Sequence, residues 1–319
     1  MDKKKIIAVV GPTASGKSAL ALELARQYDG EIVSCDSMQI YKKMNIGTAK
    51  PTADELLAVR HHMIDIAEPT DNFSCEDYVR QASVAIDDIC KRGKLPIVCG
   101  GTGLYLDALL RKNDFETMSA DESLRAELAE FAEKNGAEAL WEELFRVDPE
   151  SAKATHPNNV KRVIRALEIY RLSGLTKTEL DRRSREGGFR YDACVIGLRY
   201  GERELLYRRI DRRVDQMLEM GLLAETEALA REGVFEKNRT AAQAIGYKEM
   251  VGVVLKGDDL KEATEALKQA TRNYAKRQLT WFRHMDGAFT VYVDCPDGSP
   301  RKKEDILSEC KSIFTNGIK

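Results

Sequence analysis

No stretch of the 319 residues approaches the ~20 consecutive apolar side chains that a helix needs to cross a bilayer, so no membrane span is expected. The basic start Met1-Asp2-Lys3-Lys4-Lys5 is followed by an apolar run that ends in a glycine-rich turn, which is not the layout of a signal peptide. Cysteine is sparse and unpatterned. The seven (Cys35, Cys75, Cys90, Cys99, Cys194, Cys295 and Cys310) are odd in number and never fall in C-x-x-C spacing, so neither a zinc knuckle nor a disulfide framework is indicated. Reduced thiols in a cytoplasmic protein are the expectation. Excess charge of one sign is also missing. With 50 Lys+Arg against 52 Asp+Glu the net charge is −2, and the chain as a whole does not attract polyanions. There is no internal repeat, and no N-K-x-D motif of the kind that reads a guanine base.

What is present is a core and a phosphate loop. Hydrophobic residues make up 43% of the chain, enough to bury a real interior, and the length suits one large domain with a smaller one. The stretch Gly11-Pro12-Thr13-Ala14-Ser15-Gly16-Lys17-Ser18 follows the apolar run Ile6–Val10 and leads into a strong helix former, Ala19–Ala25. Strand, glycine-rich turn and helix are the context that the G-x-x-x-x-G-K-[ST] pattern requires. Gly11 and Gly16 let successive backbone N–H groups turn inward, and the helix N-terminus adds its positive dipole end. Lys17 supplies a mobile charge, and the Ser18 hydroxyl can hold a Mg²⁺ ion.

Apolar runs at Ile6–Val10, Glu31–Ser34, His62–Ile66 and Leu95–Cys99 read as parallel strands. Helical stretches at Ala19–Tyr28, Ala53–Val59 and Cys75–Lys91 separate them, which predicts an α/β fold of phosphate-loop type, a parallel sheet with helices on both faces. From about 112 to 190 the pattern is helical throughout, with Ser123–Lys134, Glu138–Phe145 and Asn159–Leu172, and predicts a helical insertion domain. The core domain is then 1–111 with 191–319. It regains a strand at Ala193–Leu198, long helices at Arg203–Glu219 and Ala263–Arg283, and a last strand at Ala288–Val293. The tail after Cys295 reads as peripheral.

Ligands collect at the carboxyl ends of such strands, where three polar clusters fall. Besides the phosphate loop these are Asp36-Ser37-Met38-Gln39-Ile40-Tyr41 and Gly100-Gly101-Thr102-Gly103-Leu104-Tyr105. Asp36 has three roles open to it: holding a metal through water, taking a proton from a nucleophile, or capping the next turn. The Thr102 hydroxyl could reach a phosphate. Arg209 and Arg213, four apart on one helix face, suit a clamp on an anion, or else exposed pairs with Asp211 or Glu204. His61 and His62 are adjacent on a strand and point to opposite faces, so a shared metal is disfavoured. Trp281 and Phe282 read as core. Basic stretches from Lys161 to Arg213 and from Lys268 to Arg283 suit a face that grips nucleic acid, or solvated helix faces.

Several motifs agree on a family. GPTASGKS (Gly11–Ser18), DSMQIY (Asp36–Tyr41), GTAKP (Gly47–Pro51), HHMID (His61–Asp65), GGTGLY (Gly100–Tyr105), KRVIRALE (Lys161–Glu168), QAIGYKE (Gln243–Glu249) and YAKRQLTWFR (Tyr274–Arg283) run in family order over most of the chain. In them the sequence resembles the bacterial tRNA dimethylallyltransferases. It departs at Lys161, where the family often has Gln, and it lacks the zinc finger of eukaryotic relatives. The resemblance implies transfer of a dimethylallyl group from dimethylallyl diphosphate to N6 of the adenosine beside the anticodon of tRNA, with release of pyrophosphate. It implies that Gly11, Pro12, Thr13, Ala14, Ser15, Gly16, Lys17, Ser18, Thr102 and Arg209 hold the diphosphate, with Mg²⁺ on Ser18. Asp36, Lys17, Thr13 and Arg213 would be catalytic. The tRNA anticodon stem-loop would meet Asp36, Ser37, Met38, Gln39, Thr102, Arg125, Lys161, Arg162, Val163, Ile164, Arg165, Gln243, Gly246 and Lys276. A monomer without membrane contact is expected. The alternative on the same loop is a small-molecule kinase.

Overall fold

In the structure, a computed structural model describing residues 3–111, 121–285 and 287–317, a single six-stranded sheet carries the chain. Its strands are β1 (Lys5–Val10), β2 (Gly30–Cys35), β3 (His61–His62), β4 (Leu95–Gly100), β5 (Asp192–Arg199) and β6 (Ala288–Tyr292). They lie in the order β3-β2-β4-β1-β5-β6, and every neighbouring pair is parallel. β1 is therefore flanked on both sides, with Ile7 opposite Ile97 on one neighbour and Cys194 on the other. A strand covered on both faces should read as unbroken apolar sequence, and Ile6-Ile7-Ala8-Val9-Val10 does.

Alternate residues sort to the two faces. Ile7, Val9, Ile32, Ile97 and Ile196 share one core with α1 (Lys17–Gln27), which buries Leu20, Ala21, Leu24 and Ala25. Ile6, Ala8, Val10 and Val98 are as deeply buried on the other face. The short α2 (Ala53–Ala58) precedes β3. Beyond it α3 (Cys75–Lys91) starts at a Ser74/Asp77 capping box and anchors itself through the Tyr78 hydroxyl, which donates to the Ser34 carbonyl at 3.1 Å. α4 (Gly103–Leu110) follows the second glycine-rich turn.

The chain divides into two compact units, Arg111–Arg190 and the remainder. The first residues of the expected insertion, 112–120, lie outside the described residues. The inserted unit consists of α5 (Glu122–Asn135), α6 (Ala137–Val147), α7 (Pro149–Lys153), α8 (Val160–Ser173) and α9 (Lys177–Glu186), around its own core of Leu128, Leu140, Leu144, Val163 and Leu167. Helix stops are written in the sequence here: α8 ends on Gly174 in the left-handed region.

After β5 the larger unit continues as α10 (Arg203–Glu219), α11 (Leu222–Arg231), α12 (Val234–Lys237), α13 (Tyr247–Lys256), α14 (Leu260–Arg283) and, beyond β6, α15 (Lys303–Gly317). A further core joins Ile40, Tyr41 and Met44, just after β2, to Leu222, Leu229, Tyr247 and Met250. No helix among the described residues is long and apolar enough to cross a membrane.

Two sequence expectations fail. The third strand is only His61–His62, because Met63 and Asp65 take positive φ of 64° and 56° and break the extended run. The tail is not peripheral either. α15 buries Cys310 and sets Ile313 and Phe314 against the main core, where Phe314 meets the edge of Tyr28 at 5.1 Å between centroids. Pro296, Gly298 and Pro300 interrupt the chain before that helix without ending its packing.

Candidate active site

The sheet topology brings the carboxyl ends of β1, β4 and β2 side by side, and with them the three polar clusters. One pocket there is lined by Thr13, Lys17 and Ser18 of the phosphate loop, by Asp36 and Gln39 after β2, and by Arg213 of α10. Gly16, at φ 90°, makes the turn into α1 in a region closed to most side chains. Ala14, at φ 62°, is held in the left-handed region without being glycine, and the Arg209 Nε donates to its carbonyl at 3.0 Å. The Ser15 hydroxyl is buried and has no hydrogen-bond partner among the described residues.

The electrostatics of the pocket call for an anion. Burial holds the Lys17 ammonium below its ordinary pKa, with Arg213 adding to the shift and Cys99 and Asp36 opposing it. Arg213 is likewise lowered, by burial first and by Arg209, against the pull of Asp36. Two desolvated cations thus share one nearby carboxylate, and a bound polyanion would relieve both. Asp36 does cap its turn: Oδ1 accepts from Met38 N at 2.9 Å and Gln39 N at 3.4 Å. Both bonds fall on Oδ1, which leaves Oδ2 without a donor among the described residues. Burial and the charge of Asp36 keep the phenol of Tyr274, on α14, protonated. Ile32, Pro51 and Ile64 give the same pocket an apolar wall.

The remaining site residues expected from sequence are distributed unevenly. Thr102 does not point its hydroxyl into open space; its Oγ1 accepts from Ser37 N at 3.0 Å and ties the second glycine turn to the Asp36 turn. Gln39 lines the pocket, but its amide is engaged. Oε1 accepts from Ser34 Oγ at 2.9 Å, and Nε2 donates to the Thr48 and Ala49 carbonyls at 3.2 Å. Met38 packs half-buried beside the Ile40 core. Gly246 is buried against Gly47, and Gln243 is exposed one turn before it.

In the inserted unit Lys161 and Arg162 are exposed and carry no ion pair among the described residues. The Val163 side chain is 0% exposed in the core of its unit, so it offers RNA no side-chain surface, and Ile164 packs beside it half-buried. Arg125 and Arg165 both grip the fully buried Glu168, at 2.9 and 2.6 Å. Lys276 is exposed and lies 5.8 Å over the Tyr207 ring. It shares a cleft with Arg199, Arg203 and Arg283, none of which has a carboxylate partner among the described residues.

Other expectations sort as follows. Arg213 reaches the pocket, whereas Arg209 braces the loop from outside; Asp211 pairs with Arg272 instead of either. His61 and His62 diverge as strand neighbours must, to the Val59 carbonyl and to Glu31. Phe282 is core, but Trp281 is 43% exposed, its ring laid against Gly103. Sequence reasoning missed Tyr274, Gln278, Glu168 and the apolar wall. For Gln278 a signal existed: it sits with Ala275 and Phe282 on the buried stripe of α14, a polar residue at an apolar position.

The family profile for IPP transferase matches residues 39–285. A tRNA dimethylallyltransferase 1 of Pelobacter propionicus is 50% identical over 313 residues, covering 97% of each chain. A tRNA dimethylallyltransferase of Halalkalibacterium halodurans is 47% identical, covering 94% of each. Among solved structures, the tRNA isopentenylpyrophosphate transferase of Bacillus halodurans superposes with a TM-score of 0.72 at 41% identity, covering 99% of this chain and 97% of that one. A eukaryotic dimethylallyltransferase solved in the course of acting on tRNA gives a TM-score of 0.80 at 30% identity, covering 97% of this chain and 78% of that one.

Proposed function

The chain belongs to the IPP transferase family, and from that membership and the pocket we infer that it transfers the dimethylallyl group of dimethylallyl diphosphate to N6 of the adenosine 3′-adjacent to the anticodon of tRNA, releasing pyrophosphate. The observation that carries the reading is the meeting, in one pocket, of two desolvated cations, a carboxylate and an apolar wall. The reaction needs all of them. The allylic C–O bond breaks, and negative charge grows on the departing pyrophosphate. Lys17 and Arg213, both desolvated by burial, would stabilise that charge together with the free amides of the loop. Ile32, Pro51 and Ile64 would seat the five-carbon chain and keep water from the allylic carbon.

The adenine amine is a poor nucleophile because its lone pair is delocalised into the ring. Asp36 lines the pocket and has no hydrogen bond on Oδ2 among the described residues, so it is the group to take the amine's proton as the new C–N bond forms. An adenine stacked in an anticodon loop cannot reach a recessed diphosphate, so the base is flipped out. Gln39 would read its edge by exchanging the Thr48 and Ala49 carbonyls for the base. Lys161 and Arg162, and the cleft of Arg199, Arg203, Lys276 and Arg283, are the unpaired positive surfaces suited to RNA phosphates.

Mg²⁺ fits the donor set. The Ser18 hydroxyl offers a hard oxygen ligand in the pocket, and no cluster of three or more His, Cys, Asp or Glu side chains among the described residues could hold an ion unaided. Diphosphate oxygens would complete its shell, as Mg²⁺ prefers. When bound, the ion would neutralise charge on the leaving group.

Enzyme incubated with labelled dimethylallyl diphosphate and bulk tRNA, without ATP, is expected to label RNA and to release pyrophosphate in equal amount. A requirement for ATP, or phosphate appearing on the acceptor, would replace this reading with the kinase.

A further inference from the structure

Gln278 is 5% exposed, and both ends of its amide are engaged by backbone far away in sequence. Oε1 accepts from Thr13 N in the phosphate loop at 2.8 Å, and Nε2 donates to the Gly101 carbonyl in the second glycine turn at 2.9 Å. The two turns leave adjacent strands, since Val10 of β1 is paired with Gly100 of β4. Of the other buried residues of α14, Leu267, Ala275 and Phe282 have no polar side-chain atom with which to make this bridge. Gly101 is glycine for the same reason, because a Cβ there would stand 2.1 Å from Nε2. The same segment presents Lys276 to solvent, so α14 has an outer face that is basic and an inner residue that is wholly committed to the two turns.

We propose that Gln278 is a positioning residue for prenyl transfer, a clamp that joins the phosphate loop to the Gly101–Thr102 turn and so fixes the diphosphate cradle relative to Asp36. The clamp works at both ends. On the loop side, the Thr13 amide is turned to Gln278 and withdrawn from the set of donors that meet the anion; the diphosphate is left to the later amides, Lys17 and Arg213. On the other side, holding the Gly101 carbonyl holds Thr102, whose Oγ1 accepts from Ser37 N and whose N–H donates to the Cys35 carbonyl at 3.2 Å. Asp36 lies between those two contacts. A shift of the clamp therefore moves the leaving-group site and the base against each other. Gln278 borders the pocket of Lys17 and Asp36, with its amide oxygen and nitrogen each engaged by backbone.

The inference rests on the transfer reading, and the two are tested separately: wild-type enzyme alone decides transfer, and variants decide the clamp. Gln278→Leu removes both bonds at similar size. Gln278→Glu keeps an acceptor for Thr13 N but sets a carboxylate against the Gly101 carbonyl. Gly101→Ala pushes on the clamp from its far end. Steady-state kinetics would be measured for each variant, and for Gln278→Leu combined with Gly101→Ala, below its melting temperature, alongside pyrophosphate binding by calorimetry. A misplacement of about 1 Å costs on the order of 100-fold in rate. The expected result is a 10- to 100-fold loss in kcat/KM for the donor (order of magnitude) in each single variant, weakened pyrophosphate binding, and an unchanged KM for tRNA. The double variant should be little worse than either single one, since all break the same bridge. Donor kinetics within about twofold of wild type in folded Gln278→Glu, or losses that multiply in the double variant, or a rise in KM for tRNA alone, would overturn the clamp.

Discussion

Asp36 shows how one side chain can satisfy two readings of a sequence at once. Its Oδ1 is a turn cap, bonded to Met38 N and Gln39 N, and the residue lines a pocket that holds Lys17 and Arg213. The two roles separate on substitution. Asp36→Asn keeps an oxygen for the cap and cannot accept the proton; Asp36→Ala loses both. Turnover is expected to fall roughly 10²- to 10⁴-fold in each, the range for loss of a general base. Only Asp36→Ala should also lower the melting temperature, by an amount fitting a lost cap of about 1 kcal/mol. Donor and tRNA binding should persist in Asp36→Asn, as single-turnover titration would show. Near-wild-type turnover in that variant would leave Asp36 a cap and nothing more.

At the level of elements, β2, β3 and the end of α3 are joined by a buried ion cluster. Glu31 on β2 is 4% exposed; Arg92, just past α3, meets both its oxygens, and His62 on β3 meets Oε2 at 2.7 Å. The Arg92 guanidinium holds the Glu31 carboxyl at about 2 against the cost of burial, with His62 adding to the effect. A depressed carboxyl stabilises the fold at pH above its ordinary value of 4.5, and that stability is lost as pH falls from there toward about 2. Arg92→Ala leaves a buried carboxylate with His62 alone. It is expected to destabilise the fold near neutral pH and to move acid unfolding to higher pH, as urea melts at a series of pH values would show. An unchanged acid limb would mean that the cluster is not a stability element.

The same cluster explains what could and could not be read from sequence. His61 and His62 were legible as strand neighbours facing apart, but the run after them was not a strand, and its Ile64 went unassigned to the pocket wall. Lys17, Ser18 and Asp36 were legible because each stands in a local motif at a strand end. Gln278 was not, because its partner Thr13 lies 265 residues away and no local pattern encodes that pairing. Val163 was misplaced for a related reason. A motif that carries exposed Lys161 and Arg162 also carries the core residue that holds their helix, and sequence order does not separate the two.

For the molecule as a whole, a net charge of −2 leaves RNA binding to local surfaces, and these can be told apart by what their cations already touch. Arg125 and Arg165 are committed to the buried Glu168, so removing either leaves a buried charge short of a partner and weakens the inserted unit itself. Lys161, Arg162 and Lys276 have no such commitment, so their removal should act on RNA alone. Each phosphate contact contributes a slope of about −0.9 on duplex, or about −0.7 on single strand, to the logarithm of the binding constant against the logarithm of salt. Lys161→Ala combined with Arg162→Ala should therefore flatten that slope by about 1.4 to 1.8, raise the KM for tRNA, and leave the KM for donor and the melting temperature unchanged. Arg165→Ala should lower the melting temperature as well. A double variant with wild-type slope would return Lys161 and Arg162 to the role of solvated charges and move the phosphate contacts to the cleft of Lys276, whereas tRNA binding that ignores salt would overturn phosphate contacts at both surfaces.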